Sequence, residues 1–320
     1  MPKGKRPAAV VSIIDRKGGG GKTTIMHHLT AGIVLHGGEA LAIECDDNPR
    51  LRAILAGLET EDESELDALQ TAYGLFAKPA NGTDRSALAV NLDRLWENVA
   101  SLSMNEIHAL RSERNWNLAG KLDYIPGSEQ IKEIEDEFAR KGIKTAGFEP
   151  DMQLSQAITD ARQHYDVIAV DSPPSLTGVL RNILTASTHV IIVVEFDFAS
   201  IEDYRRTYRV YDKVCKALRA DGKLVPKAFV VLNKFNVGNQ DHQAMLRAYT
   251  GEHEELVNGQ RVVRSALIKQ PILGVIPYNY DLLNSAAMHH RSLHQYAPKS
   301  DIGLAMYQCV TQFETTLGLL

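Results

Sequence analysis

The chain has 320 residues, 44% of them hydrophobic and 23% charged, and 35 Lys plus Arg against 40 Asp plus Glu give a formal net charge of −5. That length fits one large domain or two ordinary ones, and the composition excludes a disordered chain, a collagen and a disulfide-stapled miniprotein. The mildly acidic balance argues against a generally basic nucleic-acid coat, so any nucleic-acid contact must come from a local basic patch.

The first apolar run, Ala8 to Ile14, reads as a strand and ends at a glycine-rich turn, Asp15-Arg16-Lys17-Gly18-Gly19-Gly20-Gly21-Lys22-Thr23-Thr24. A helix comes next, with Leu29, Ile33 and Val34 on its apolar side. Strand, glycine loop, Gly-Lys-Thr and helix is the context a phosphate-binding loop requires. Glycines let backbone N–H groups close around phosphate oxygens, and the helix N-terminus adds its positive dipole end. In that reading Gly18, Gly19, Gly20, Gly21, Lys22, Thr23 and Thr24 bind the nucleotide. Lys22 supplies charge to the β/γ-phosphates, and the Thr23 hydroxyl is placed to ligate Mg²⁺. The usual spacing wants glycine where Arg16 stands, and a second lysine, Lys17, opens the glycine run instead.

Further strand-length runs are Ala40–Ile43, Leu122–Ile125, Val167–Val170, Val190–Val194, Ala228–Leu232 and Ile272–Ile276. Continuous apolar strands separated by helical stretches predict an α/β fold. Its sheet is mostly parallel and twisted, with helices on both faces, and its site lies at the carboxyl ends of the strands. The stretch from about 57 to 121 breaks this rhythm. It holds charged helical patterns, two tryptophans, and Leu88, Leu92, Leu95 and Val99 at helical spacing, which predict a helical insertion. The expected organisation is therefore one P-loop domain over 1–320 with that insertion. With fifteen residues ahead of Arg16, no N-terminal helix-turn-helix is expected.

The stretch Ile201–Ala220 places Arg205, Arg209, Lys213, Lys216 and Arg219 on one helical stripe. Ile201, Tyr204, Tyr208, Tyr211, Cys215 and Leu218 form the adjacent apolar stripe. The five cations are candidates for sequence-independent contact with DNA phosphates, although a solvated charged face carries the same pattern. The chain ends on a helix-like stretch from Gly303 to Leu320 without Lys or Arg, which is better suited to packing on the core than to a membrane surface. Cys45, Cys215 and Cys309 are dispersed and fit a reducing cytosol. The longest apolar runs are far below the ~20 residues of a membrane span, and no signal peptide is read at the N-terminus.

The form Lys17-Gly-Gly-x-Gly-Lys-Thr-Thr resembles the deviant Walker A box of the ParA/MinD family of ATPases. Four more blocks come in the family's order. Ile43-Glu44-Cys45-Asp46 resembles the strand ending in Asp-x-Asp, and Tyr124-Ile-Pro-Gly the strand end after it. The stretch from Tyr165 to Asp171-Ser-Pro-Pro-Ser-Leu resembles the Walker B strand, and Ile276-Pro277 with His294-Gln-Tyr-Ala-Pro the C-terminal block. The ParA partition branch is the most similar.

The resemblance implies an ATP hydrolase with weak intrinsic activity, stimulated by a partner, using ATP and Mg²⁺. Lys22 and Lys17 neutralise phosphate charge, Lys17 across the interface of an ATP-bound homodimer. Asp46 positions the attacking water. Thr23, Glu44 and Asp171 serve the metal, and Asn233 and Pro277 contact the adenine, although a buried structural asparagine remains open at 233. The partners implied are non-specific DNA and a ParB-like centromere-binding or cargo-adaptor protein, with no membrane, in a cytoplasmic, nucleoid-associated setting. The chain departs from the pattern at Glu44, usually Asp, and at Asp47-Asn48-Pro49-Arg50, usually Pro-Gln-Gly-Asn, which bears on the hydrolysis rate. The alternative is a positioning ATPase of the same family whose cargo is a protein assembly or conjugation complex. Reductase or metal-insertion relatives use paired cysteines, which the dispersed three do not supply.

Overall fold

The computed structural model describes residues 6–46, 72–76, 120–134, 152–174, 178–197, 199–251, 253–257, 260–289 and 291–320. Seven strands form one sheet: β1 (Ala9–Ile14), β2 (Glu39–Glu44), β3 (Lys121–Ile125), β4 (Val167–Asp171), β5 (His189–Glu195), β6 (Lys227–Phe235) and β9 (Ile272–Pro277). Their order is β3-β2-β4-β1-β5-β6-β9, and every pairing is parallel. All seven expected runs are strands, each within a few residues of its sequence bounds. A separate antiparallel pair, β7 (His253–Val257) and β8 (Gln260–Arg264), has no counterpart in the sequence reading. The expected insertion at 57–121 lies outside the described residues, apart from the short helix α2 (Ala72–Phe76) and its last two positions, where β3 begins.

Alternation along the strands sorts their side chains onto two faces. Val11, Ile13, Ala40, Ala42, Val167 and Ala169 point toward α1 (Lys22–Leu35) and the C-terminal helices. Val10, Leu41, Ile43, Ile168 and Val170 point the other way, onto α3 (Gln153–Ala157) and α4 (Gly178–Ala186). Farther along that second face, Val190, Ile192, Val194, Val230 and Leu232 meet α5 (Ser200–Ala220) and α6 (Gln240–Thr250). Burial on both faces is why these strands read as unbroken apolar runs.

Helix α1 departs from the expected single apolar side. It is buried almost all round, including His27, His28 and Thr30, because the sheet covers one side and the C-terminal helices cover the other. Those helices are α7 (Tyr280–Met288), α8 (Leu293–Tyr296) and α9 (Asp301–Leu317). Helix α9 buries Ile302, Met306, Cys309, Val310, Phe313 and Leu317, so the terminal helix packs on the core as expected. His28 ties the layers together. Its Nδ1 lies 2.7 Å from the Thr24 carbonyl, and its Nε2 accepts the Leu293 N–H at 3.0 Å. That pair of contacts fits a neutral imidazole protonated on Nδ1. Among the described residues no helix is long and apolar enough to cross a membrane.

Candidate functional site

Strand β1 is central, and the glycine loop leaves its carboxyl end between β4 and β5. The loop needs glycine for two distinct reasons. Gly19 and Gly21 have φ of 79° and 95°, backbone that L side chains rarely adopt. At Gly20 a Cβ would fall 1.8 Å from Asp15 Oδ2, so there the constraint is space. Side chains then fasten the loop from outside. Asn233 Nδ2 donates to Gly20 O at 2.9 Å, and Lys234 Nζ donates to Gly19 O at 2.7 Å. Lys17 N–H donates to Asp15 Oδ1 at 3.1 Å.

Lys22 opens α1, only 5% exposed, and its ammonium donates to Lys17 O at 3.3 Å. Gly21 is the N-cap, so the first N–H groups of α1 face the loop without a capping side chain. A charge-bearing phosphate fits that arrangement of N–H donors, helix end and ammonium. Thr24 lies in the first turn of α1, Gly18 is exposed at the loop's start, and Thr23 Oγ1 donates to Asp171 Oδ2 at 2.5 Å.

Asp171 ends β4 with no exposure, and its Oδ1 has no hydrogen-bond partner. Burial raises its pKa to about 7; Thr23 and Lys22 oppose that shift, and Glu44 and Asp46 reinforce it. Glu44 stands beside Asp171 in the parallel ladder, fully buried, and accepts the Tyr124 hydroxyl. Asp46 comes at half burial, two residues beyond Glu44. Acidic side chains with one unmet oxygen, next to a threonine hydroxyl, form a donor set that a hard divalent cation suits. Thr23 and Asp171 would hold Mg²⁺ with phosphate oxygens, and the ion would supply neutralisation of phosphate charge.

The base-side candidates divide. Asn233 is buried and spends its amide on the loop, which fits the structural alternative left open for it. Pro277 lines an open cavity of about 510 Å³ together with Phe235, Tyr278 and Lys299. Its lining takes in Phe235, the last residue of β6, and none of the loop residues.

Lys17, its side chain 39% exposed, turns to carboxylates of its own chain. Its ammonium donates to Glu195 Oε2 at 2.6 Å and to Asp197 Oδ2. Those bonds raise its pKa well above the usual lysine value. Burial pushes the Asp197 carboxyl up, but the bonds from Lys17 and Ser200 outweigh it and hold the group down to about 2. Asp197 also accepts the Ala199 and Ser200 N–H groups at the start of α5. Asp15, Glu195, Asp197 and Lys234 stand outside the motifs that mark the site in the sequence. One signal was present: a glutamate closing the otherwise apolar run His189-Val-Ile-Ile-Val-Val.

Helix α5 spans the predicted stretch and presents Arg205, Arg209, Lys213, Lys216 and Arg219 to solvent. Its buried side is Tyr204, Thr207, Tyr211, Val214, Cys215 and Leu218, with Ile201 and Tyr208 half-buried. The cations are not all free. Glu202 lies 3.2 Å from both Arg206 and Arg209 and 3.9 Å from Arg205, and Asp212 lies 2.7 Å from Lys216. These are exposed pairs of small energetic weight.

The AAA domain family matches residues 8–223, two thirds of the chain and every site motif up to α5. The chain belongs to that family, as a P-loop ATPase of the ParA/MinD type. It is 28% identical over 212 residues to the sporulation initiation inhibitor protein Soj of Bacillus subtilis, covering 66% of this chain and 68% of Soj. A putative replication protein A of Rhizobium rhizogenes is 26% identical over 196 residues, 60% of this chain, which spans only 41% of that longer protein. Among solved structures, a putative plasmid partition protein of Borrelia burgdorferi bound to AMPPNP superposes with a TM-score of 0.65 at 17% identity. That match covers 97% of this chain and 99% of that one, and it establishes the shared fold.

Proposed function

We propose that this ATPase switches with its nucleotide between a monomer and an ATP-bound sandwich dimer. The dimer binds duplex DNA without sequence preference, and a partner carrying cargo, a ParB-like centromere protein or a cargo adaptor, stimulates hydrolysis and release. The observation that carries the reading is Lys17, a second lysine on the same glycine loop as Lys22. Its ammonium is held by carboxylates of its own chain and not by the loop, and a facing subunit's nucleotide is the natural target for it. Lys22 neutralises phosphate charge, Asp46 orients the attacking water, and Thr23, Asp171 and Glu44 serve Mg²⁺. Asn233 and Pro277 border the base.

The exposed cations of α5 are the proposed DNA contact, doubled when two subunits meet. Each phosphate neutralised adds about −0.9 to the salt slope, so binding by the dimer should be steeply salt-dependent. Fluorescence anisotropy on random-sequence duplex DNA, with and without ATP, tests this. Binding that requires ATP and collapses as salt rises is expected; equal affinity with and without ATP would contradict it. The ion pairs of Glu202 and Asp212 with that stripe favour a second reading, a positioning ATPase of the same type with a protein assembly as cargo and a track other than DNA. A pull-down for the protein that raises the ATPase rate separates them by what it recovers.

A further inference from the structure

Glu195 closes β5 with a carboxylate only 5% exposed, and each of its oxygens faces a lysine. Lys17 donates to Oε2 at 2.6 Å, and Lys234 meets Oε1 as an ion pair without a hydrogen bond. The two lysines arrive from opposite sides, because β1 and β6 are the strands that flank β5. Lys234 is set there by unusual backbone. Its φ of 61° is the only positive value at a non-glycine among the described residues, and it sits where the β6–β9 register shifts between Leu232 and Phe235. An L residue adopts that conformation at a cost, and such strain marks positions whose side chain is being aimed. Here the aim is at Glu195 and, at 2.7 Å, at Gly19 O of the phosphate loop.

Resting on the trans reading of Lys17, we propose that Lys234 is the resident counter-cation of Glu195, a positioning residue that lets Lys17 leave its own chain's carboxylates and cross to the facing subunit. The two carboxylates that hold Lys17 fare differently once it departs. The Asp197 side chain is 39% exposed, so water can solvate it. The Glu195 side chain is 6% exposed, and stripping its last cation would strand a charge in a poorly solvated place. With Lys234 in place Glu195 stays paired. The hold of Lys234 on Gly19 O keeps that cation at the loop while Lys17 moves.

The test compares Lys234→Met, Lys234→Arg, Glu195→Gln/Lys234→Met and Lys17→Ala. Dimerisation with a non-hydrolysable ATP analogue is monitored by light scattering over a range of protein concentrations, and monomer affinity for a fluorescent nucleotide is measured separately. Lys234→Met should bind nucleotide yet dimerise at least about tenfold more weakly, about 1.4 kcal/mol. Lys234→Arg should restore the dimer. The double variant should restore it too, because a neutral glutamine needs no counter-cation. Since the double variant keeps the same change at 234, its recovery excludes a folding defect as the cause. Wild-type dimerisation by Lys234→Met, or a double variant as weak as the single, would overturn the inference. Lys17→Ala tells the two claims apart. If it fails to dimerise while Lys234→Met does not, the trans role stands and only the counter-cation role is lost. If it dimerises normally, the trans role and this inference fall together.

Discussion

At the scale of single residues the proposed phosphate site rests on a few charged side chains. Lys22 is buried with its ammonium on a loop carbonyl, a contact that a phosphate oxygen would replace with a charge-assisted one. Lys22→Ala should therefore lose ATP binding, measured with a fluorescent nucleotide; retained tight binding would remove the site assignment. Asp46 carries a different load. Asp46→Ala should bind ATP and dimerise yet hydrolyse about 10²–10⁴-fold more slowly, the usual loss for a proton-handling or water-orienting group. A wild-type turnover rate would hand that role to Glu44 or Asp47. The phosphate loop was legible in the sequence because its chemistry is local: glycines, Lys22 and Thr23 stand together in the chain. The Lys17–Glu195 pair was not, because its partners lie 178 residues apart and meet only when β1 and β5 pair.

At the scale of elements, α5 and α1 make separate demands. Glutamate at Arg205, Arg209 and Lys213 of α5 removes three exposed cations and adds three anions, while the buried face stays intact. That triple change should abolish ATP-dependent DNA binding in the anisotropy assay and leave analogue-driven dimerisation unchanged. No effect on DNA would make the stripe a solvated helix face. The stripe's spacing was plain in the sequence, but counting cations alone overlooked Glu202 and Asp212, which sit at i+3 and i+4 distances on the same surface.

Helix α1 makes its demand through pH. Burial lowers the His28 pKa to about 4 and that of His27 well below the usual histidine value. The unfolded chain takes up protons below about pH 6.5, where the native state refuses them, so these groups favour the fold fully above that pH. Their contribution drains away as pH falls from about 6.5 toward 4, by up to about 1.4 kcal/mol per pH unit for each histidine. Denaturant titrations should show wild type losing stability over that window. His28→Gln should be less stable at pH 7.5 but show a shallower pH dependence. An unchanged slope in the variant would mean other groups set the acid limb.

At the scale of the molecule, the sheet's function lies at one end. Glu44 and Asp171 are register partners at the carboxyl ends of β2 and β4, and Glu195 and Asn233 are register partners at or near those of β5 and β6. This edge was foreseeable because doubly covered parallel strands announce themselves as apolar runs, and a charged residue at the run's end marks the site. The β7–β8 pair escaped because its strands, His-Glu-Glu-Leu-Val and Gln-Arg-Val-Val-Arg, carry little apolar signal. The all-round burial of α1 escaped because its second cover, α9, lies at the far end of the chain.

ATP is proposed to join two such edges through Lys17. Light scattering of wild type and Lys17→Ala, each with a non-hydrolysable ATP analogue, tests it most directly. Wild type should double its mass with the analogue and stay a monomer without it, and Lys17→Ala should stay a monomer that still binds the nucleotide. A Lys17→Ala protein that doubles its mass as readily as wild type would contradict it.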